Sequence, residues 1–547
     1  ANMKIIYRGQ GLRNYLSDQN TTEYLNYNGR IGIEIRGSSS QFTPKKQYGL
    51  ITRLADGLTN NNVSLLGFPA ENDWILYSLT FDPSFMRNYL CYNLSRMIGE
   101  YASRTVYCEL FINGDYQGLY LLLEKIKQGK NRIDINKIDQ KDIAFPNLTG
   151  GYITKADKVT GGDPVAWTMS SYIGTDDVAY IHELPKPESV TAEQNLYIKS
   201  QFQKLASSAL SGDVSPENGF PSVIDIPSFI DYMIINELSA NSDAYQYSTY
   251  YHKDRNGKLS AGPIWDLDLT FGNDLFLWQL DRSKTNQWQF SNGDNEGARY
   301  WRDLFNNPTF KCYLSKRWNE LIQPGHPLSL SNIELLIDNT DAMINEALVR
   351  EDKRWGMVNY THIERSPIKT WLEQRIQWIT ANIGSYSGCS NVKIPPLVIS
   401  KIMYNPDSTG IFPDRKDLEF IEIINTGNES VNLAGIYFRG TGFVYQFPAS
   451  SLMGPNGKKI LAGNKIAFTA KYGIAPSDQF TRNLSDAGES LVLVDAFGNI
   501  IDSVSYSNSP PHSDADNNGK YLEMVDLLID NRFASNWLAS TNNIPSF

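Results

Sequence analysis

Cysteine is scarce in this 547-residue chain: Cys91, Cys108, Cys312 and Cys389, with no CxxC pair. That excludes a disulfide scaffold and a cysteine-based zinc site, and leaves room for one or two disulfides. The five histidines form no HExxH or HxH, and no GxSxG elbow is present. Zinc-hydrolase and serine-hydrolase chemistries therefore lack their usual carriers. Positive charge is in deficit, with 50 Lys+Arg against 60 Asp+Glu and a net charge of -10. Non-specific nucleic-acid binding needs a cationic footprint, so that class is set aside. No window approaches 18 uninterrupted apolar residues, so no transmembrane segment is expected. The opening Ala-Asn-Met-Lys-Ile-Ile-Tyr lacks a charged and then apolar leader, so a signal peptide is either absent or already removed.

What remains is ordinary globular material: 41% hydrophobic, 20% charged, mean hydropathy -0.37. The length suits several domains. Aromatics reach 12%, which suits a secreted protein or a carbohydrate binder.

Two textures meet near residue 390. Before it, strands and helices mix. Ile31–Arg36 alternates like a strand and runs into Gly37-Ser38-Ser39-Ser40, and a second strand surrounds Lys46–Leu54. Phe85–Gly99 has helical spacing, and Asn113-Gly114 between alternating runs predicts a hairpin. Thr191–Gln194 and Ser331–Glu334 read as capping boxes, and Pro227 as a helix start. Gly384 to Pro396 reads as a linker. Beyond it, Leu397–Met403, Glu419–Ile424, Val431–Phe438, Lys459–Phe468, Ser490–Val494 and Ile500–Tyr506 are spaced like the strands of an antiparallel sandwich.

The densest chemistry is Trp265-Asp266-Leu267-Asp268-Leu269-Thr270-Phe271-Gly272. Read as a strand, it puts Asp266, Asp268 and Thr270 on one face, with same-face positions roughly 7 Å apart. Such an oxygen-rich face suits magnesium, which takes one or two carboxylates plus phosphate oxygens. The alternative is a half-buried strand whose polar side meets solvent. Upstream, Asp243 lies just past a helix, as a general base or as a turn former. Gly37–Ser40 could offer backbone N–H groups to phosphate, yet it is neither Walker A nor GxGxxG. Asp514-Ala-Asp516-Asn-Asn518-Gly519 opens like a calcium loop, but Val525 stands where the closing Glu belongs, so it reads first as a turn.

Taken together, Arg36-Gly37-Ser38-Ser39-Ser40, Pro44-Lys45-Lys46-Gln47-Tyr48-Gly49, Asn72-Asp73-Trp74, Met86-Arg87-Asn88, Glu109 to Tyr120, Leu123-Glu124-Lys125-Ile126, Asn241-Ser242-Asp243 and Trp265 to Gly272 resemble the CotH family, relatives of protein kinases. The segment after the linker, with Leu397 to Asn405, Glu419 to Asn425 and Val431 to Gly435, resembles a lamin-tail domain, an immunoglobulin-like sandwich. The resemblance implies the roles. Gly37, Ser38, Ser39 and Ser40 would cover ATP phosphates, Lys46 would contact them, and Glu124 to Ile126 would lead into the adenine hinge. Asp243 would be the base, with Asp266 and Asp268 the Mg²⁺ (or Mn²⁺) ligands. Kinase loops carry a metal-binding Asn five residues after the base; here that position is Ser248. No helical Glu partner for the lysine is identifiable, Glu100 being the nearest candidate.

The expectation is an α+β, kinase-like domain over residues 1–388, followed by an immunoglobulin-like antiparallel β-sandwich over 391–547. The expected activity is Mg-ATP-dependent phosphoryl transfer to protein Ser or Thr, outside the cytoplasm of a bacterium. The rival is a non-catalytic surface or adhesion protein that keeps the fold, with cell-surface or carbohydrate contact through the second domain. A glycosidase is disfavoured, because two carboxylates on one strand would not straddle a glycosidic bond. The acceptor protein is not readable from the sequence.

Overall fold

The structure is a computed structural model. It describes residues 1–541 apart from 160–161, 175–176, 274–280, 282–283, 293–296, 357–360, 409–410, 413 and 441. The first sheet contains β1 (Asn2–Ile6), β2 (Leu25–Arg36), β3 (Gln47–Arg53), β4 (Asp73–Tyr77), β5 (Thr105–Ile112) and β6 (Asp115–Glu124), in the order β1-β2-β3-β4-β6-β5. Every pair is antiparallel. The predicted hairpin forms, with Asn113 and Gly114 both at positive φ, as a two-residue turn of this hand requires. Period-two alternation divides the sheet into two faces. Tyr27, Ile31, Leu50, Trp74, Leu76, Tyr120 and Leu122 fill an outer cluster, while Ile75, Tyr77, Leu121 and Leu123 face the main core. Helix α1 (Arg87–Met97) packs into that main core and joins the sheet to the second half of the domain.

The second sheet has β7 (Tyr152–Ala156), β8 (Trp167–Ser170), β9 (Asp177–Leu184), β10 (Thr249–Lys253) and β11 (Ser260–Ala261), in the order β11-β10-β7-β9-β8. Helix α2 (Ala192–Ser211) starts at its predicted cap, and α3 (Ile226–Ser239) starts one residue before the expected Pro227. The Thr191 hydroxyl accepts from the Gln194 amide, and the Asp225 side chain accepts from the Ser228 amide ahead of Pro227. Four more helices follow: α4 (Tyr300–Asn306), α5 (Pro308–Leu321), α6 (Leu330–Trp355) and α7 (Thr361–Asn382). The N-cap of α6 is Ser329, so Ser331 is the second residue of the helix, inside its first turn, rather than its cap. The segment expected to link two free domains is anchored. The Ser315 hydroxyl donates to the Gly384 carbonyl, and Cys389 is disulfide-bonded to Cys312 of α5.

The second domain is a sandwich with strand sets of six and four and a two-stranded ribbon; its main core lies between the sheets, and a smaller apolar cluster around Phe420 and Phe468 lies apart from it. Two expected strands are corrected. Only Lys458–Ala462 of the 459–468 run is a strand, because Asn464 caps a helix over Lys465–Tyr472. Val431–Phe438 divides into Val431–Asn432 and Tyr437–Arg439, separated by a turn in which Gly435 has φ +74°.

The domains meet along an ionic seam. Arg439 pairs with Asp225 and Glu100, and Arg482 with Asp134 and Asp254. The fully buried Lys258 ammonium donates to the carbonyls of Gly435 and Ala496. The seam encloses a cavity of about 160 Å³ lined by His252, Tyr437 and Arg439, among others. Neither Asp266 nor Asp268 lines it.

Candidate functional site

The segment 262–272 is not the expected strand. A cis Gly262-Pro263 bond leads into irregular backbone, and Asp266 stands at φ +60°, Phe271 at +47° and Gly272 at +82°. Left-handed backbone at a non-glycine residue is strained and persists only where surroundings impose it. The surroundings are identifiable. The Leu267 amide donates to Asn88 Oδ1 at 3.0 Å, and the Asp266 amide to the Tyr92 hydroxyl at 3.4 Å. Arg87, paired with Asp82 at 2.7 Å, donates its Nε–H to the Thr270 carbonyl at 2.8 Å. The Met86-Arg87-Asn88 motif therefore acts by shaping this loop. Thr270 leaves the expected polar face, because its hydroxyl turns back to the Leu267 carbonyl.

Asp266 and Asp268 nevertheless converge. The Tyr77 hydroxyl, on the core-facing side of β4, lies 2.7 Å from Asp266 Oδ1 and 2.9 Å from Asp268 Oδ2. One hydroxyl carries one proton, so both contacts are satisfied together only when a carboxyl supplies another. Burial, then the neighbouring Asp266 charge, raises Asp268 well above its ordinary range. Burial raises Asp266 as well, opposed chiefly by the Tyr77 hydrogen bond. Two buried carboxylates around one hydroxyl form a hard-oxygen donor set short of positive charge. A pair of acids at this spacing is a donor set of the kind Mg²⁺ or Mn²⁺ accepts.

Asp243 follows α3 in a strained loop: Ala240, Tyr245 and Ser248 all have positive φ. The Asp243 charge acts on Asp268, as the smallest of the influences that raise it. Asn241 orders the turn by accepting from the Asp243 amide at 3.2 Å. The Ser248 amide donates to Asp157 Oδ1 at 3.3 Å, and the Asp157 charge acts on Asp266. A carboxylate at the end of β7 thus borders the position where kinase loops carry Asn, and it also pairs with Lys155 at 3.2 Å.

The remaining expected residues separate. Lys45 is the buried member of the lysine pair: its ammonium donates to Glu351 Oε1 at 2.6 Å and to the Leu119 carbonyl at 2.7 Å. Burial lowers Lys45 to about 8, which keeps it charged at neutral pH. Lys46, the residue chosen from the resemblance, points elsewhere and donates to the Gln41 carbonyl at 2.7 Å. The reason is parity. Lys45 shares the inward face of Gln47, whereas Lys46 falls on the alternate side. The lysine's acidic partner is Glu351 of α6, not Glu100, which pairs with Arg439 across the seam.

In the loop after β2, Gly37 stands at φ +100° and a Cβ there would meet Ser40 Oγ at 2.0 Å, so only glycine fits. Ser38 and Ser39 are exposed and Ser40 is buried. The Glu124 carboxylate accepts from Arg104 at 2.9 Å and from the Tyr101 hydroxyl. Ile126 belongs to an apolar cluster with Ile133, Ile135, Ile153 and Tyr250, against which Trp265 packs.

Tyr77, Asn88, Tyr92, Asp157 and Glu351 had no assigned role in the sequence reading. Asn88 lay inside a quoted motif. The others had no local signal, because their roles depend on contacts across 91 to 306 residues.

The CotH kinase protein family model matches residues 33–379. The chain belongs to that family. The Lamin Tail Domain model matches residues 392–508, the sandwich just described. No curated protein matches the chain.

Proposed function

We propose that this CotH-family chain transfers phosphate from Mg-ATP to Ser or Thr hydroxyls of an acceptor protein. The observation that carries the reading is the meeting of Asp266 and Asp268 at one Tyr77 hydroxyl, with Asp243 in electrostatic reach. In this reading Asp266 and Asp268 hold the divalent cation, which supplies charge neutralisation for the transferring phosphoryl group. Asp243 accepts the acceptor hydroxyl's proton. The strained loops hold these carboxylates before substrate arrives, which is the preorganisation that electrostatic catalysis needs.

The disulfide between Cys312 and Cys389 supports a further part of the reading, residence in an oxidising compartment outside the cytoplasm. Cell fractionation with non-reducing peptide mapping tests this; a reduced pair in native protein would withdraw it.

The catalytic reading is tested by calorimetry and radiolabelled phosphate transfer on wild type, Asp266→Asn and Asp243→Asn. Asp266→Asn should lose Mg²⁺-dependent nucleotide binding. Asp243→Asn should keep binding and lose transfer. Wild-type binding with no transfer to any acceptor would favour the surface-protein reading, with Ser248 in the second-metal position as the reason.

A further inference from the structure

We propose that Arg36, at the end of β2, is the cation that holds the nucleotide's phosphates, and that neither lysine of the β3 entry does so. The assignment rests on the nucleotide reading above. Two candidates are removed by geometry. The Lys45 ammonium is enclosed by Glu351, the Leu119 carbonyl and the rings of Phe85 and Tyr120, with 1% side-chain exposure. Its charge is committed to α6. The Lys46 ammonium is turned onto the Gln41 carbonyl at the protein surface.

Arg36 has the opposite environment. It pairs with Gln47 in the sheet register, as Gly49 does with Ile75. Alternation along β2, β3 and β4 then puts Arg36, Gln47, Ile75 and Tyr77 on one face. Its guanidinium lies 5.8 Å from the ring centroid of Trp265, the residue that precedes Asp266. Among the described residues its guanidinium makes no hydrogen bond and no ion pair. A guanidinium resting on an indole is fixed in plane and partly desolvated, while its edge keeps the N–H fork that matches a phosphate bidentately. The next residues in the chain are Gly37–Ser40, so cation and loop reach the site from one strand end.

The local charge balance points the same way. Asp157, Asp243, Asp266 and Asp268 are four acids near one another, and a polyphosphate cannot approach them without cations. Arg36 and Lys158 are among the positive side chains whose charge reaches Asp266, while Lys155 is already paired with Asp157. Lys158 is exposed, whereas Arg36 is half-buried on the wall of the site.

Calorimetry on the full chain tests the assignment, with Mg-ATP, Mg-ADP and adenosine against wild type, Arg36→Ala, Arg36→Lys and Lys46→Ala. Arg36→Ala should weaken Mg-ATP at least tenfold while leaving adenosine within twofold, and should flatten the salt dependence of ATP binding. Arg36→Lys should fall between, keeping charge but losing the fork. Lys46→Ala should match wild type. Arg36→Ala that binds Mg-ATP within twofold of wild type overturns the assignment and leaves the nucleotide reading standing. Equal losses for ATP and adenosine also overturn it, since damage to the fold does not count phosphates. Wild type that binds neither nucleotide removes the nucleotide reading and the assignment together.

Discussion

Glu351 closes on Lys45 at 2.6 Å from a helix 306 residues further along the chain, and both side chains are almost wholly buried. A second Glu351 oxygen accepts from the Leu119 amide at 2.6 Å. One acid thus ties the entry of β3, the middle of β6 and helix α6 together. Ion pairs buried this deeply add little net stability over an apolar replacement, but removing one partner strands the other charge.

Glu351→Ala is therefore expected to destabilise the protein by about 3–5 kcal/mol. The double variant Lys45→Met with Glu351→Leu should recover most of that loss. Denaturant unfolding of the three proteins measures both. A single variant within about 1 kcal/mol of wild type would mean that Lys45 reaches water when its partner is absent.

Tyr77→Phe deletes the hydroxyl shared by Asp266 and Asp268. Without a cation, the two carboxyls lose their common partner, a loss of about 1–3 kcal/mol. Saturating Mg-ATP should narrow the difference, because the cation replaces the lost proton. Thermal melts with and without Mg-ATP check this, and an equal deficit under both conditions counts against shared ligation.

The pH dependence follows from the directions of the Asp266 and Asp268 shifts. Both carboxyls are raised above the ordinary value of 3.8 in the folded chain, so the folded state binds more protons than the unfolded one above that pH. Their contribution to stability is fully present below pH 3.8 and is lost as pH rises through their raised folded values. Metal needs them deprotonated, so Mg²⁺ should raise the melting midpoint more at pH 8 than at pH 5. Asp268→Asn should flatten that difference. A Mg²⁺ effect independent of pH would remove the metal from this pair.

Arg482→Ala opens the seam between the domains, where Asp134 and Asp254 both receive its guanidinium. We expect a loss of about 2–3 kcal/mol, the scale of hydrogen bonds to charged groups. A truncated chain ending at residue 390 should also melt lower than the whole, since Lys258 loses both of its carbonyl acceptors. Calorimetric melting of both proteins checks this, and an unchanged midpoint would make the sandwich an independent appendage.

Local patterns carried much of the fold. The turn at Asn113-Gly114, the cap at Thr191, the helix start near Pro227 and the change of periodicity past residue 390 each depend on neighbours within a few positions. Asp266 and Asp268 were legible as a pair, but for the wrong geometric reason. Strand alternation would have set their faces, whereas a left-handed Asp266 and a shared tyrosine bring them together. The choice between Lys45 and Lys46 needed the parity of β3, which adjacent identical residues do not reveal. Glu351 could not be found at all, because nothing within a helical window marks an acid for a lysine 306 positions earlier.

That late acid also bears on how the chain is made. All six strands of the first sheet leave the ribosome by Glu124, yet the carboxylate that neutralises Lys45 is still unsynthesised. The gap from Leu119 to Glu351 is 232 residues, roughly 10–50 s of translation at typical rates. Until then the chain carries the Lys45 ammonium, destined for burial, without its acidic partner. Pairing of the Lys45 ammonium with its acid therefore waits on the synthesis of α6.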